Sequence, residues 1–273
     1  MISIVVLTKN EELDIAGCLS CLSWSDDVIV FDSCSTDSTV AIASSFGCRI
    51  VVRQYDDEST HKNWALDHID FKHRWVYFCD ADERLPRAFH LEMVALAQED
   101  SSYSAFRSPR RDYFMGRWLR HCTPSPFNIR LFRPEKVRFE RITNPHLVVN
   151  GQIGEIFHHF DHFPFSKGIA HWINKHNWYS DLEVKQSLLE KKAGFSARDI
   201  KQLFSSNINV RRISQKRLYY LLPLRPLIMF FSIYILKRGF LDGMAGFHYS
   251  ALRCIYEYLI TLKTTELKSK RDL

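Results

Sequence analysis

The sequence predicts an α/β protein with a mainly parallel sheet flanked by helices. Four short apolar runs, rich in β-branched and aromatic residues, punctuate the first eighty positions. They do not alternate with polar residues, which is typical of strands covered on both faces. Helical patterns separate the runs, and this alternation favours parallel strands joined by right-handed crossovers.

The predicted elements follow one another closely up to residue 83. The strands cover residues 2–7, 28–31, 50–52 and 75–79. The first helix is expected to have Asn10 as its N-cap, because an apolar stripe with helical spacing follows. That stripe consists of Ile15, Cys18, Leu19 and Leu22. Further helices are predicted over 38–46, ending at Gly47, and over 61–69.

After residue 83 the pattern is less regular. A short helix is predicted over 91–97, and residues 106–140 are basic, aromatic and interrupted by prolines. Residues 145–162 predict a small strand pair followed by a histidine-rich turn. Residues 169–193 return to a helical pattern.

Polar and acidic clusters follow three of the four predicted strands. They are Thr8-Lys9-Asn10-Glu11-Glu12, Asp32-Ser33-Cys34-Ser35-Thr36-Asp37 and Asp80-Ala81-Asp82-Glu83. The carboxyl ends of parallel strands meet at one edge of a sheet, and α/β proteins bind ligands there. We therefore expect the three clusters to form one site.

The third cluster predicts a divalent cation. Asp80 and Asp82 are two positions apart, so in extended backbone their side chains point to the same side. Mg²⁺ or Mn²⁺ typically takes one or two carboxylates and completes its shell with phosphate oxygens and water. The sequence contains neither a GxxxxGK[ST] loop nor a GxGxxG turn, so the common glycine-rich phosphate cradles are not supported. A nucleotide-sugar site with a metal-held diphosphate fits these features.

Several segments resemble the signature segments of family 2 inverting glycosyltransferases, in the bacterial branch that builds lipopolysaccharide core and other surface polysaccharides. They are SIVVLTKNEE, VFDSCSTDSTV, KNWAL, DADERL, RRDYFMGRWLRH, RLFRP, WINKHNWYS and GFLDGMAGF, and together they span nearly the whole chain. The resemblance implies the GT-A nucleotide-sugar-binding fold. It also implies transfer of a sugar, with UDP-hexose the favoured donor, to a saccharide or lipid-linked acceptor. Two alternatives are a transferase acting on a polyprenyl-phosphate carrier and a catalytically silent scaffold that binds a nucleotide.

The resemblance also implies roles for the residues at this edge. Asp32 matches the aspartate that hydrogen-bonds uracil, and Lys62 falls where a basic residue reaches the nucleotide. Asp82 should hold the cation, with Asp80 touching ribose or metal and Glu83 completing the cluster. The predicted nucleotide-sugar contacts on these elements are Thr8, Lys9, Asn10, Glu12, Asp32, Lys62 and Asp80.

The catalytic base is less well specified. The resembled branch usually carries a His-Glu pair where this chain has His146 followed by leucine, so the expected carboxylate is replaced. His146 is the first candidate, because imidazole in general titrates in the range that a base at neutral pH needs. Asp112 and Glu155 are rival candidates, and a purely local hydrogen bond is the alternative role of His146.

One face of the predicted helix 169–193 carries two polar residues among aromatic ones. Lys175 and His176 lie on it beside Trp172 and Tyr179, at helical spacing. Either this face is core, or Lys175 meets the diphosphate and His176 completes the metal shell. A zinc site in residues 158–162 is disfavoured, because the ligands are crowded and no cysteine accompanies them.

The most apolar stretch, residues 218–236, predicts attachment to a membrane. It nearly reaches the length of a span, but Arg225 lies between two prolines inside it. We expect a helix pair in the membrane interface whose Arg225 reaches lipid headgroups, with a soluble core and a span as the alternatives. Basic residues on both sides would bind anionic lipid: Arg211, Arg212, Lys216, Arg217, Lys237 and Arg238.

These inferences divide the chain into three parts. Residues 1–100 form a nucleotide-sugar-binding half, residues 101–195 the acceptor-side half of the same domain, and residues 196–273 a helical C-terminal extension. Seven scattered cysteines and the lack of a signal-peptide pattern favour a cytoplasmic protein, peripheral on the inner face of the cytoplasmic membrane. No nucleic-acid partner is expected, because the basic segment 106–121 lies where acceptor loops lie in the resembled family.

Overall fold

A mainly parallel sheet forms the centre of the first of two units into which the chain divides. This unit comprises Met1–Tyr113 and Ser125–Ser166, and the second comprises Phe114–Pro124 and Lys167–Leu273. The computed structural model describes residues 1–99, 102–123, 127–140, 146–193, 196–205, 211, 214–215, 218–219, 222 and 224–270. The functional boundaries at residues 100 and 195 stay predictions.

Four parallel strands of the first unit, β1 to β4, have their carboxyl ends at the same edge of the sheet. The central strands run in the order β3-β2-β1-β4-β8-β6-β12-β5, and β11 lies beside β6. β1 to β4 are mutually parallel, β8 is antiparallel to β4 and β6, and β11 and β12 are parallel to β6. The strands of the chain are β1 Ser3–Thr8, β2 Val28–Asp32, β3 Arg49–Val52, β4 Val76–Asp80, β5 Glu83–Arg84, β6 Tyr103–Phe114, β7 Arg117–Trp118, β8 Phe127–Phe132, β9 Val137–Glu140, β10 His146–Val149, β11 Gln152–Glu155 and β12 Phe160–His162.

Helices cover both faces of this sheet, as the unbroken apolar strands predict. Alternate residues of β1 and β4 enter two separate cores, one packed against α1, α2 and α4 and the other against α3. The predicted stripe of α1 is fully inside the first core. The helices are α1 Ile15–Ser20, α2 Thr39–Ser45, α3 Glu58–His68, α4 Arg87–Gln98, α5 Gly168–Ala193, α6 Ala197–Gln202, α7 Arg225–Phe231 and α8 Gly243–Ser269.

The prediction that Asn10 caps the first helix is wrong. α1 begins at Ile15 with Asp14 at the N-cap position, and Asn10 has a φ of 55°, in the left-handed region. Asn10 accepts a hydrogen bond from the Thr36 amide, so its side chain serves the loop after β2. Asparagine tolerates this backbone conformation because its short polar side chain can bond locally.

The predicted strand pair within 145–162 is also wrong, although both strands exist. β10 pairs with β9, and β11 pairs with β6. Leu147 and Val149 of β10 pack with Phe139 of β9 against the core that α3 covers. The burial of these side chains beside β9 stabilises β10 more than pairing with the neighbouring β11 in a hairpin would.

The second unit is mainly helical. α8 packs against α5 and α7, and a π-helical turn, Ser232–Leu236, follows α7. Within the predicted membrane segment, residues 220, 221 and 223 lie outside the described part of the chain. Among the described residues, no helix combines the length and apolar character needed to cross a bilayer.

Arg225 does not reach outward as predicted for a headgroup ligand. It is 5% exposed, and its Nη2 donates to Thr261 Oγ1 of α8 at 2.9 Å. The hydroxyl of Tyr219 donates to the Arg225 carbonyl at 3.2 Å. The arginine therefore holds α7 on α8 from inside the unit.

Candidate active site

The loops after β1 and β2 lock together at the carboxyl edge of the sheet. Lys9 Nζ donates to the carbonyl oxygens of Ser33 at 2.9 Å and Cys34 at 2.6 Å. Asn10 Oδ1 accepts from the Thr36 amide at 2.8 Å. Cys34, like Asn10, has a left-handed backbone, with φ of 60°. The two loops therefore present one connected polar surface.

Glu12 joins the same two loops on the side of α2. Its amide donates to Asp37 Oδ2 at 3.1 Å, and its Oε2 accepts from the Ser38 amide at 3.1 Å. Ser38 is the N-cap residue of α2, where an acidic side chain is stabilised by the helix dipole. Glu12 lies where it was predicted, and a nucleotide contact by it stays a prediction.

Asp32 ends β2 as a completely buried carboxylate. Its Oδ1 accepts from Thr8 Oγ1 at 2.8 Å and from Ser35 Oγ at 2.6 Å, and its Oδ2 accepts from the Ser35 amide at 2.7 Å. These bonds satisfy both oxygens and fix the turn that follows the strand. The structure thus gives Asp32 and Thr8 a role in shaping the loop, and the uracil contact stays a prediction.

The acidic cluster after β4 is held by an arginine from β8. Arg130 Nη2 lies 2.5 Å from both Asp80 Oδ2 and Glu83 Oε1. Glu83 is buried, whereas the Asp80 side chain is 39% exposed. Glu83 Oε2 also accepts the Asp80 amide at 3.1 Å. The partly exposed carboxylate of Asp80 is therefore held by the buried ion pair of Arg130 and Glu83.

The two carboxylates titrate differently because their surroundings differ. Partial burial of Asp80 disfavours its ionisation, but Arg130 and Lys62 outweigh this effect and hold its pKa well below its usual range. Burial raises the pKa of Glu83 to about 7, with Arg130 opposing the rise and Asp80 adding to it. Asp80 is thus an anion at neutral pH, whereas burial makes Glu83 a weaker acid than usual.

Asp82 belongs to a second polar chain that the sequence did not predict. His162 Nε2 lies 3.4 Å from Asp82 Oδ2, and His162 Nδ1 lies 2.7 Å from Asp112 Oδ1. Arg110 Nε contacts the same Asp112 oxygen at 2.8 Å. Parallel pairing of β12 with β6 sets His162 directly opposite Asp112. A histidine therefore connects two of the predicted site carboxylates.

The two carboxylates keep His162 protonated at neutral pH. Burial alone disfavours the imidazolium, but the hydrogen bonds to Asp112 and Asp82 raise the pKa of His162 to about 9. Burial likewise opposes ionisation of Asp112, yet His162 and Arg110 lower its pKa. Asp82, His162, Asp112 and Arg110 therefore form a row of alternating negative and positive charges at the carboxyl ends of β6 and β12.

The partly exposed carboxylates at this edge are ligands of the kind that a divalent cation takes. Asp80 ends β4 and Asp82 lies two residues further on, and their side chains are 39% and 25% exposed. Mg²⁺ and Mn²⁺ need only one or two such carboxylates when phosphate oxygens and water fill the rest of the shell. Among the described residues, no three histidine, cysteine or acidic side chains group into a protein-only metal site.

Lys62 brings a positive charge close to the same edge from α3. It is 8% exposed, its Nζ donates to Glu58 Oε1 at 2.6 Å, and it lies 5.3 Å from the centre of the Phe139 ring. Its field contributes to the lowered pKa of Asp80. A contact between Lys62 and the nucleotide stays a prediction.

Two of the three candidate bases, Asp112 and Glu155, lie in different surroundings. Asp112 is at the edge, but it already accepts from His162 and Arg110. Glu155 forms a salt bridge with Arg107, which precedes Asp112 by five residues, or about 16 Å along β6. His146 begins β10, and its side chain lies outside the described part of the structure.

Lys175 and His176 lie on α5, in the second unit. His176 Nδ1 bonds to the Trp172 carbonyl at 2.9 Å, and its ring stacks on Trp172 at 3.6 Å between centroids. Burial lowers the pKa of His176 to about 4. Lys175 lies 5.9 Å from the Tyr179 ring centre. Trp172 is buried and His176 half-buried, as the core alternative expects, whereas Lys175 and Tyr179 are exposed. The roles of Lys175 and His176 in diphosphate and metal binding stay predictions.

The sequence signals for Arg130 and His162 were present but incomplete. Arg130 lies in RLFRP, a segment that supported the resemblance without a role, and His162 ends the HHFDH segment. Both side chains reach partners fifty or so positions away in the chain. Their roles therefore depend on strand pairing and not on any local pattern.

A parallel sheet whose carboxyl edge carries acidic and polar loops is the architecture of nucleotide-binding α/β proteins. Residues 3–163 match the family model described as glycosyl transferase family 2. The chain belongs to glycosyl transferase family 2. This membership confirms the predicted α/β GT-A fold, and the long α8 confirms the helical C-terminal part.

Relatives over nearly the full length carry related names. The chain is 24% identical to the lipopolysaccharide core biosynthesis glycosyltransferase LpsC of Rhizobium meliloti, over 96% of this chain and 91% of that protein. It is 26% identical to an uncharacterized glycosyltransferase of Rickettsia typhi, over 98% and 88%. A solved glucosyl-3-phosphoglycerate synthase of Mycobacterium tuberculosis, in complex with Mn²⁺, UDP and glucosyl-3-phosphoglycerate, is 25% identical over 41% of this chain and 44% of its own, with a TM-score of 0.35. That overlap spans less than half of either chain.

Proposed function

We propose that the chain is an inverting, divalent-metal-dependent glycosyltransferase. It moves a hexose from a UDP-hexose to a saccharide or lipid-linked acceptor during assembly of bacterial surface polysaccharide. The observation that carries the proposal is that β1, β2 and β4 end side by side, with the two interlocked loops and the Asp80–Asp82 segment at one sheet edge. Family membership supports the transfer, and the name of the Rhizobium relative supports the acceptor class.

Each part of this edge has a task in the proposed reaction. Asp80 and Asp82 would hold Mg²⁺ or Mn²⁺, which neutralises the charge that grows on the departing diphosphate. Lys62 adds a fixed positive charge from α3, and the loops around Asn10 and Asp32 would bind the nucleoside. Side chains already held in place by hydrogen bonds and ion pairs suit this task, because they need to move little when charge develops on the diphosphate.

Direct displacement requires a base on the sugar face opposite the leaving diphosphate. His146, Asp112 and Glu155 stay the candidates. The carboxylate of Asp112 already accepts hydrogen bonds from two cationic side chains, those of His162 and Arg110. Displacement without a covalent intermediate predicts inversion at the anomeric carbon.

The second unit would bring the enzyme to a membrane surface that presents the acceptor. Large apolar side chains around α7 and the start of α8 are exposed: Leu227 50%, Phe231 57%, Leu236 79% and Met244 65%. Lys237 and Arg238 are exposed beside them. Apolar groups that enter the acyl boundary beside cations that meet anionic headgroups are the ordinary means of interfacial binding. We therefore propose peripheral attachment to the cytoplasmic face.

A donor screen tests the proposed reaction. The purified protein is incubated with Mn²⁺ and a panel of UDP-, GDP- and dTDP-sugars, and nucleotide release is read by mass spectrometry. Release of UDP from one UDP-hexose is expected, and it should stop when EDTA removes the cation. Turnover of GDP-sugars alone would refute the uracil role of Asp32, and release that persists in EDTA would refute the metal dependence.

A further inference from the structure

Arg130 reaches the acidic edge through an irregularity of the sheet. In β8, Leu131 is opposite Phe106 of β6, but Ile129 is opposite Arg107, so Arg130 is the extra residue of a β-bulge. Ile129 and Leu131 consequently pack in different cores, although a regular strand would place them on one face. Bulges of this kind re-aim a side chain and often lie beside active sites.

The guanidinium contacts two carboxylates of unequal exposure. One nitrogen, Nη2, lies 2.5 Å from the buried Glu83 and 2.5 Å from the exposed Asp80. Glu83 also accepts the backbone amide of Asp80 at 3.1 Å. Glu83 therefore fixes the backbone of Asp80, and Arg130 fixes its side chain.

A purely stabilising role explains this arrangement poorly. A buried ion pair contributes little net stability, because the loss of hydration offsets the attraction between the charges. Here the pair ends on a carboxylate that faces solvent at the end of β4, where a ligand can reach it. A clamp on that carboxylate is useful only if its orientation matters.

We infer that Arg130, anchored by Glu83, is a positioning residue that holds Asp80 in the orientation needed for a diphosphate and its cation. The inference rests on the proposed function, because it assumes that Asp80 serves a nucleotide-sugar. Preorganisation of this kind lets a carboxylate bind without first losing rotational freedom.

The test measures UDP affinity by calorimetry with and without Mn²⁺ in three variants. In Arg130→Met, the increase in UDP affinity that Mn²⁺ produces should fall about tenfold, while UDP affinity without metal stays as in wild type. Arg130→Lys should recover part of the increase, since it keeps the charge but not the planar fork. The control Arg138→Met removes an arginine paired with Asp67 at 2.7 Å and should change neither affinity.

The outcomes separate this inference from the proposed function. Wild-type protein whose UDP affinity ignores Mn²⁺ contradicts the proposed metal dependence and this inference with it. A normal response in wild type and an equal response in Arg130→Met contradict the inference alone. A loss of UDP affinity that is the same with and without Mn²⁺ also contradicts it, because that is the result of a purely structural role.

A second variant serves if Arg130→Met fails to fold. The double variant Glu83→Gln with Arg130→Met removes the buried anion together with its cation, so no uncompensated charge is left inside. It should fold and show the same selective loss of the Mn²⁺ response. A double variant that folds and keeps the full response contradicts the inference.

Discussion

His162 is held between Asp82 and Asp112 and carries its positive charge because of them. The pKa of this imidazole is raised from 6.5 to about 9. A histidine whose pKa is higher in the folded state stabilises the fold fully below pH 6.5, and that contribution is lost as pH rises through 9. The corresponding stabilisation is about 3 kcal/mol.

The first prediction follows from this titration. In metal-free protein, the wild type should be more stable than His162→Gln below pH 6.5, and the difference should shrink as pH rises through 9. Glutamine can still donate a hydrogen bond but carries no charge, so the comparison isolates the imidazolium. Urea denaturation across this pH range, with EDTA present, measures the difference. A difference that is independent of pH would contradict the charged bridge.

At the residue scale, the sequence was informative where a site residue directly follows a strand. The position of Asp80 and Asp82 at the sheet edge could be predicted, because an apolar run marks the strand and the acidic residues mark its end. Arg130 could not, because its direction depends on a bulge defined by pairing with β6. His162 could not, because only parallel pairing of β12 with β6 brings it to Asp112.

At the scale of helices and strands, the sequence predicted where the elements lie better than it predicted which strands pair. All four early strands and the three helices between them lie within a few residues of their predicted bounds, since each satisfies its own apolar pattern. The pairing of β10 with β9 was missed, because an apolar pattern shows that a strand is buried but not which neighbour buries it.

The close packing at the start of α8 gives the second prediction. A Cβ on Gly246 would lie 2.1 Å from the carbonyl oxygen of Gly239, whereas one on Gly17 of α1 would meet the flexible end of Arg84 at 2.5 Å. Gly246→Ala should therefore destabilise by about 1 to 3 kcal/mol despite the better helix propensity of alanine. Thermal unfolding should show a clear fall in Tm for Gly246→Ala and a smaller one for Gly17→Ala. Equal Tm values in the two variants would contradict the close approach of α8 to the backbone of Gly239.

At the scale of the whole molecule, the proposed function needs a catalytic edge in one unit and a membrane-binding surface in the other. The third prediction concerns that surface. Wild-type protein should pellet with anionic liposomes at low salt and less so at high salt or with neutral lipid, because salt screens the basic residues. The triple variant of Phe231, Leu236 and Met244 to serine should stay in solution, because these exposed side chains supply the apolar contact.

The control for that prediction uses exposed apolar residues of the first unit. Val52 and Leu91 are 56% and 53% exposed, and replacing both with serine should leave liposome binding unchanged. Wild-type protein that stays fully in solution beside anionic vesicles would contradict the membrane proposal. A triple variant that pellets like wild type would show that another surface binds the lipid.

The most direct measurement for the whole account is the Mn²⁺ dependence of UDP binding in Asp82→Asn. Asparagine keeps the shape of the side chain and removes the charge, so the fold should survive while the cation loses a ligand. Calorimetric titration should show that Mn²⁺ strengthens UDP binding in wild type. In the variant, the factor by which Mn²⁺ increases UDP affinity should be smaller by about tenfold or more, which corresponds to about 1.4 kcal/mol of binding free energy. A folded variant with the same Mn²⁺-dependent UDP affinity as wild type would contradict the claim that the acidic edge after β4 holds a metal-bound diphosphate.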